Sequence, residues 1–249
     1  MIEVIEHGAI HEIRMQRPPV NALNPALLAA LIQAVRGAPA RGARGLMLSG
    51  GEKVFSGGLD VPYLMAQDRA GLVECWGLFF EAAREIAGSP IPVAAAIAGH
   101  NPAGGCVLAL CCDYRVMARG PFRIGLNETQ VGLAVPDAIQ YLLRRTVGAQ
   151  KAERLVVAGA MIESAQAFAI GMVDALADAG HVGAAALEWL QELLALPSGP
   201  MLATRQLARA DVVAALDGFQ QSQMDAFLDG WYSPDSQRAL QALMLRLKK

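Results

Sequence analysis

No charge of one sign dominates this chain: 21 lysines and arginines stand against 23 acids, a formal net charge of -2. A nucleic-acid partner would call for a basic face, and none is apparent. Cysteine is scarce too. The four are Cys75, Cys106, Cys111 and Cys112, with no Cys-x-x-Cys pair and no histidine at metal spacing. Neither a zinc site nor a disulfide framework is expected, and buried free thiols in a reducing compartment fit better. The N-terminus carries Glu3 and Glu6 and lacks the basic, apolar, small-residue progression of a signal peptide. A cytoplasmic location is therefore expected, or a mitochondrial one if a presequence has been removed.

An uninterrupted long apolar run is also missing. Residues 91–112 come nearest, but Pro92, Gly99, Asn101, Pro102, Gly104 and Gly105 break them in the middle, so they read as strand, turn and helix, with no membrane span. With 54% apolar and only 18% charged residues, the chain lies outside the disordered range. Its 249 residues can bury one large core, or a core with a smaller helical extension.

What is present alternates strands with helices, an α/β pattern. Residues 2–6 and 10–15 alternate apolar with polar around Gly8-Ala9, as a hairpin does. Asn24 before Pro25 is an N-cap followed by proline at the first helical position, and Leu27, Leu28, Leu31, Ile32 and Val35 follow at helical spacing. Short buried strands are expected at 45–49, 93–97, 114–117 and 122–125, with an extended piece at 172–175. Helices are expected at 69–87, from Gly104 to Cys112, and at 138–145, 149–158, 164–170 and 183–196. Pro197-Ser-Gly-Pro200 marks a boundary, giving a core over residues 1–196 and a helical region over 197–249. That region should hold helices at 201–210, 212–229 and 233–248.

Three features carry chemistry. The loop Gly50 to Asp60 follows a strand and is rich in glycine, which lets backbone N–H groups turn outward as donors, although such loops are often only turns. The helix opening at Gly104 is apolar on every side, so it is central to the core, and its first-turn N–H groups and positive dipole end favour developing negative charge. Glu128 follows a strand among apolar neighbours. Taken alone, a loop carboxylate of this kind can equally be solvated or cap a helix.

Together these motifs resemble the crotonase superfamily, also called the enoyl-CoA hydratase and isomerase family. Asn21-Ala22-Leu23, Phe55 to Asp60, Gly99 to Asp113, Gly132 to Pro136 and Ala165 to Asp174 fall in the family's order and spacing. Pro102 to Cys106, Cys112 to Arg115, Ile124 to Gln130 and the ending from Asp235 resemble its mitochondrial-type Δ3,Δ2-enoyl-CoA isomerases.

The resemblance implies a crotonase-like spiral of ββα units with a C-terminal helical trimerisation region. It implies an acyl-CoA substrate, a homotrimer or dimer of trimers, and no cofactor, since coenzyme A is part of the substrate. Hydratases of the family use two glutamates, at positions that correspond here to Val107 and Glu128. The single remaining acid implies an isomerase of fatty-acid β-oxidation, moving a 3-enoyl-CoA double bond to trans-2 with Glu128 as proton shuttle. The alternatives are another acyl-CoA enzyme of the family, such as a hydratase, or a non-catalytic acyl-CoA-binding oligomer.

By the same resemblance the oxyanion donors are the N–H groups of Leu59 and Gly104. Asn21, Ala22, Leu23, Ser56, Gly57, Gly58, Leu59, Asp60 and Asn127 are expected along the substrate. Pro62 replaces a common lysine, which leaves Lys248 and Lys249 as candidates for the CoA phosphates. Asp113 and Arg115 are read as a helix end and its charge partner, and His100 as a loop histidine.

Overall fold

The computed structural model describes residues 1–219 and 221–247, with Gln221 described in its backbone only; Lys248 and Lys249 lie outside the described residues. The strands are β1 (Ile2–His7), β2 (Ile10–Met15), β3 (Gly45–Ser49), β4 (Val93–Ile97), β5 (Asn101–Pro102), β6 (Tyr114–Ala118), β7 (Arg123–Gly125), β8 (Ile162–Glu163) and β9 (Ala175–Ala177). The helices are α1 (Pro25–Gly37), α2 (Val61–Leu64), α3 (Arg69–Ala87), α4 (Ala103–Leu110), α5 (Asp137–Val147), α6 (Ala149–Ala158), α7 (Ser164–Ala169), α8 (Val182–Leu194), α9 (Ser198–Ala208), α10 (Ala210–Asp217), α11 (Gln221–Trp231) and α12 (Pro234–Leu247).

The first sheet runs β1-β2-β3-β4-β6-β9, with β1 antiparallel to β2 and every other pair parallel. Its central strands β3 and β4 are buried on both faces, which is why they read as continuous apolar runs rather than alternating ones. Successive side chains still face opposite ways. Leu46, Leu48, Ala95 and Ile97 enter the main core with α1, α3 and α4, while Met47, Ala94 and Ala96 face α8. Val182, Ala186 and Leu190 recur every four residues along α8 and supply the covering stripe on that side. Small alanines on β4 let α8 lie close.

The second sheet, β5-β7-β8, is small and positions the chemistry. Asn101 pairs with Ile124 and Pro102 with Gly125 in parallel register. The chain then leaves β5 directly into α4 and leaves β7 toward Glu128, so both continue from neighbouring carboxyl ends, the usual place for a ligand crevice in parallel pairings.

Several expectations shift in detail. The Pro197 to Pro200 stretch is the start of α9, with Pro197 as its N-cap and Pro200 in its first turn, where a missing N–H costs nothing. The helix expected over 212–229 is two helices, α10 ending at Gly218 and α11 opening at Gln221. The extended piece expected at 172–175 forms a strand slightly later, at β9. Val212, Leu216, Met224, Leu228, Trp231 and Leu240 from α10 to α12 belong to the same apolar cluster as the sheet and α3.

Asp113 and Arg115 do not pair with each other. Arg205 holds Asp113 through Nε at 2.8 Å and Nη2 at 2.9 Å. Arg115 instead pairs with Asp174 at 2.7 Å and donates to the Cys112 carbonyl at the end of α4. Arg115 and Arg209, which donates to the Cys111 carbonyl, thus cap the end of α4, and Arg205 and Asp174 tie the same region to distant parts of the chain, which sequence spacing alone could not reveal.

β7 passes so close to the 160 loop that a methyl at Gly125 would strike the Ala160 carbonyl oxygen. Gly125→Ala should therefore destabilise the fold by about 1–3 kcal/mol, as overpacking against backbone does. A lower urea midpoint with an unchanged m-value is the expected outcome, and an unchanged midpoint would show that the β7 backbone can move aside.

Candidate active site

The loop at 55–60 is held by hydrogen bonds to the segment before α1. Asn21 Nδ2 donates to the Phe55 carbonyl at 3.0 Å, Ser56 Oγ to the Asn21 carbonyl at 2.8 Å, and Gly57 N to the Val20 carbonyl at 2.7 Å. Leu23 N donates to the Gly58 carbonyl at 2.8 Å and Asp60 N to the Leu23 carbonyl at 2.9 Å. This is a parallel bridge between Leu23 and Leu59. In such a bridge the flanking residues, 58 and 60, make the bonds, so the N–H of Leu59 itself points away from Leu23.

The Leu59 nitrogen lies close to the start of α4. A methyl group built on Gly104 would lie 3.4 Å from Leu59 N and 3.3 Å from a Leu23 methyl, and one built on Gly58 would lie 3.2 Å from Gly104 N. The two expected donors, Leu59 N–H and Gly104 N–H, are thereby brought side by side. Ala103, just before Gly104, has φ +47°, a left-handed angle costly for a residue with a side chain. It turns the chain sharply into α4.

Of the residues expected along the substrate, Ala22, Gly57, Leu59 and Asn127 are partly exposed, whereas Leu23, Ser56 and Gly58 are buried. Asn21 and Asp60 are occupied inside the protein. Asn21 Oδ1 accepts from Arg17 N at 2.7 Å. Asp60 caps α2 through Tyr63 N at 3.0 Å and pairs with Arg17 at 2.7 Å. Both side chains brace the loop, and Arg17, which the sequence did not single out, is the hub between them. His100 is a surface loop residue whose Nδ1 accepts from Arg123 N at 3.1 Å.

Glu128 opens a single 3-10 turn, Glu128–Val131, and is only 7% exposed. Its Oε2, like Asn127 Oδ1 beside it, has no hydrogen-bond partner among the described residues. Burial pushes the carboxyl up to about 7, outweighing a bond from its own backbone N–H. The turn is clamped from two sides. Thr129 Oγ1 donates to the Val156 carbonyl at 3.3 Å and Gln130 Nε2 to the Ala158 carbonyl at 3.2 Å. Ser236 Oγ on α12 donates to the Gly132 carbonyl.

Cys106, one turn into α4, is buried beside this acid. Its thiol is pushed above the usual range first by burial and then by the Glu128 charge, and its sulfur bonds to the Gly125 backbone. The α4 sequence, AGGCVLAL, contains no carboxylate, and Val107 is fully buried. Among the described residues no three His, Cys, Asp or Glu side chains cluster as metal ligands would, and no helix is long and apolar enough to cross a membrane. The cavities of about 500 Å³ beside Glu12 and Ser49 and about 570 Å³ between α8 and α9 are lined by neither Glu128 nor Leu59 and Gly104.

An acid with a raised value in the folded state has a definite effect on stability. Between its ordinary 4.5 and about 7, the unfolded chain ionises Glu128 while the folded chain keeps the proton, so stability falls as pH rises. Glu128→Gln removes that loss. Relative to the parent protein, the variant should gain about 3 kcal/mol in unfolding free energy between pH 4 and pH 8. Parallel pH profiles of denaturation for the two proteins would mean that Glu128 is not held in an apolar setting.

Comparison with known proteins agrees with this geometry. The sequence profile of the enoyl-CoA hydratase/isomerase family matches residues 6–244. Human mitochondrial enoyl-CoA delta isomerase 1 is 30% identical over 253 aligned residues, covering 100% of this chain and 83% of the human one. The probable enoyl-CoA hydratase echA17 of Mycobacterium avium (strain 104) is 30% identical over 209 residues, 81% of each chain. The crystal structure of human mitochondrial delta3-delta2-enoyl-CoA isomerase superposes with a TM-score of 0.94 at 29% identity, over 99% of this chain and 98% of that one. A spiral of strands and helices with one buried acid thus sits in a chain that the family profile matches over residues 6–244, and the protein belongs to the enoyl-CoA hydratase/isomerase family, with the crotonase fold.

Proposed function

We propose that this protein is a Δ3,Δ2-enoyl-CoA isomerase, moving the double bond of a cis- or trans-3-enoyl-CoA to trans-2 in the oxidation of unsaturated fatty acids. The observation that carries the reading is a single buried carboxylate, Glu128, beside a helix that has Val107 and no acid. Hydration needs a second group to hold and polarise water, and valine has no polar atom. A proton shift needs one base only.

Glu128 removes a proton from C2 of the 3-enoyl thioester. The electron pair moves into a dienolate whose negative charge rests on the thioester oxygen, where the N–H groups of Leu59 and Gly104 accept it as hydrogen-bond donors. The protonated acid then returns its proton at C4, leaving the double bond at C2–C3 with no net gain or loss of atoms. Loss of one such donor typically costs about 3–4 kcal/mol of transition-state stabilisation, and a positioned base contributes roughly 100- to 10,000-fold. Burial serves both ends, because it tunes the acid toward neutral pH and keeps competing water from the dienolate.

Oligomerisation through the C-terminal helices belongs to the same reading. Leu207 on α9 and Leu245 and Leu247 on α12 are 79%, 68% and 59% exposed, as they would not remain in a trimer packed through that region. Light scattering at micromolar concentration should give three or six times the chain mass of 26.3 kDa, and a single chain mass would overturn this part.

The direct test pairs trans-3-hexenoyl-CoA with crotonyl-CoA as substrates for the protein and for Glu128→Gln. Isomerisation should exceed hydration, should fall at least about 100-fold in the variant, and its kcat/KM should rise with pH to a plateau above about 7. Dominant hydration, or an unaffected variant, would sink the single-acid mechanism. Inactivity on both substrates would favour the acyl-CoA-binding alternative.

A further inference from the structure

Segments 53–60 and 99–105 run alongside each other for their whole length and end in the two paired donors, Leu59 N–H and Gly104 N–H. A methyl at Gly99 would strike the Lys53 carbonyl carbon. One residue on, Phe55 N donates to the His100 carbonyl and His100 N to the Lys53 carbonyl, both at 2.9 Å. At the far end a methyl at Gly58 would lie 3.0 Å from the Ala103 methyl. Between these points lie two fully buried polar side chains, Ser56 on one segment and Asn101 on the other.

Asn101 is completely buried, at 0% exposure, and neither its Oδ1 nor its Nδ2 has a hydrogen-bond partner among the described residues. Its carboxamide lies against Gly105, where a methyl would collide with Asn101 Oδ1 and approach Ser56 Cβ to 2.9 Å and the Ser56 carbonyl to 3.0 Å. Gly105 and Asn101 therefore fit as a pair, the absent side chain of one making room for the amide of the other. A buried amide without partners weakens a fold, and an apolar side chain of the same shape would serve packing better. Its retention where the donor loop meets the donor helix points to a role other than stability.

We propose that Asn101 is a positioning residue for the oxyanion site: its amide, wedged between Ser56 and Gly105, sets the separation of the loop that carries Leu59 from the helix turn that carries Gly104. The loop is hydrogen-bonded to 17–23 on its other side and to His100 at its start, and the Ser56, Asn101 and Gly105 contact lies between those start bonds and the two donors. This rests on the isomerase reading for its rate effect, but not for its effect on a bound thioester carbonyl.

The test uses Asn101→Leu, which keeps volume without polarity, and Asn101→Ala, which removes the strut. Difference infrared spectra of bound hexanoyl-CoA, labelled with 13C at the carbonyl and unable to isomerise, report polarisation by the two donors directly. Asn101→Ala should shift the carbonyl band back toward its position in water and lower kcat about 10- to 100-fold, as expected for a small misplacement of catalytic groups, whereas Asn101→Leu, of nearly the same volume, should restore most of both. KM should stay within about threefold and the pH profile of Glu128 should be unchanged, while Asn101→Leu should melt no lower than the parent protein. An unchanged band and kcat in Asn101→Ala would overturn the proposal, as would activity lost only in step with thermal stability. A band shifted in the parent but not in Asn101→Ala, in a protein without isomerase activity, would uphold the strut and remove the isomerase reading.

Discussion

Backbone segments 53–60 and 99–105 lie closer together than side chains would allow, and the rest of the site follows from that contact. Gly99, Gly104 and Gly105 each occupy a point where a methyl would meet the opposing segment at or inside ordinary contact distance. Closeness of this kind puts the N–H groups of Leu59 and Gly104 side by side. It also demands an external frame, because two such segments have few side chains with which to hold themselves. The 17–23 segment supplies one wall through hydrogen bonds, and β7, paired to β5, supplies the other.

The acid is governed by the opposite need. Glu128 is an ionisable group kept out of water, a costly combination. The fold holds it on a short turn clamped by the end of α6 and by Ser236 of α12, which fixes the backbone that carries the carboxyl. Cys106 and Leu126 make the surroundings apolar. Burial therefore acts on two levels: it moves the acid toward neutrality and removes its conformational freedom.

The strands and first helices were legible because their signals are local. Asn24 caps α1 by accepting from Leu27 N at 3.0 Å, and the 93–97 run, uniformly apolar, is a strand buried on both faces. Leu59 and Gly104 could be named as donors only through the family resemblance and could not be shown to be adjacent, since the bridge from Leu23 to Leu59 joins distant segments. Glu128 illustrates the limit well. Its sequence neighbourhood is equally that of a solvated loop acid, and its burial comes from α4, α6 and α12, none of which is adjacent to it in sequence. The pairings of Asp113 with Arg205 and of Arg115 with Asp174 were misread for the same reason, and Asn101 gave no signal, since an asparagine before a proline reads as a turn. The break at Gly218 was missed because apolar spacing continues across it.

The hook between α12 and the acid's turn also orders events in time. Gly132 has φ +83°, and a methyl there would meet Ala239 Cβ at 2.8 Å and Ser236 Cα at 2.9 Å, so the last helix seats directly on the end of the turn that begins at Glu128. During synthesis α12 leaves the ribosome well after both sheets and the turn itself. The turn that carries Glu128 therefore stays uncapped until a serine 104 residues beyond Gly132 has been made.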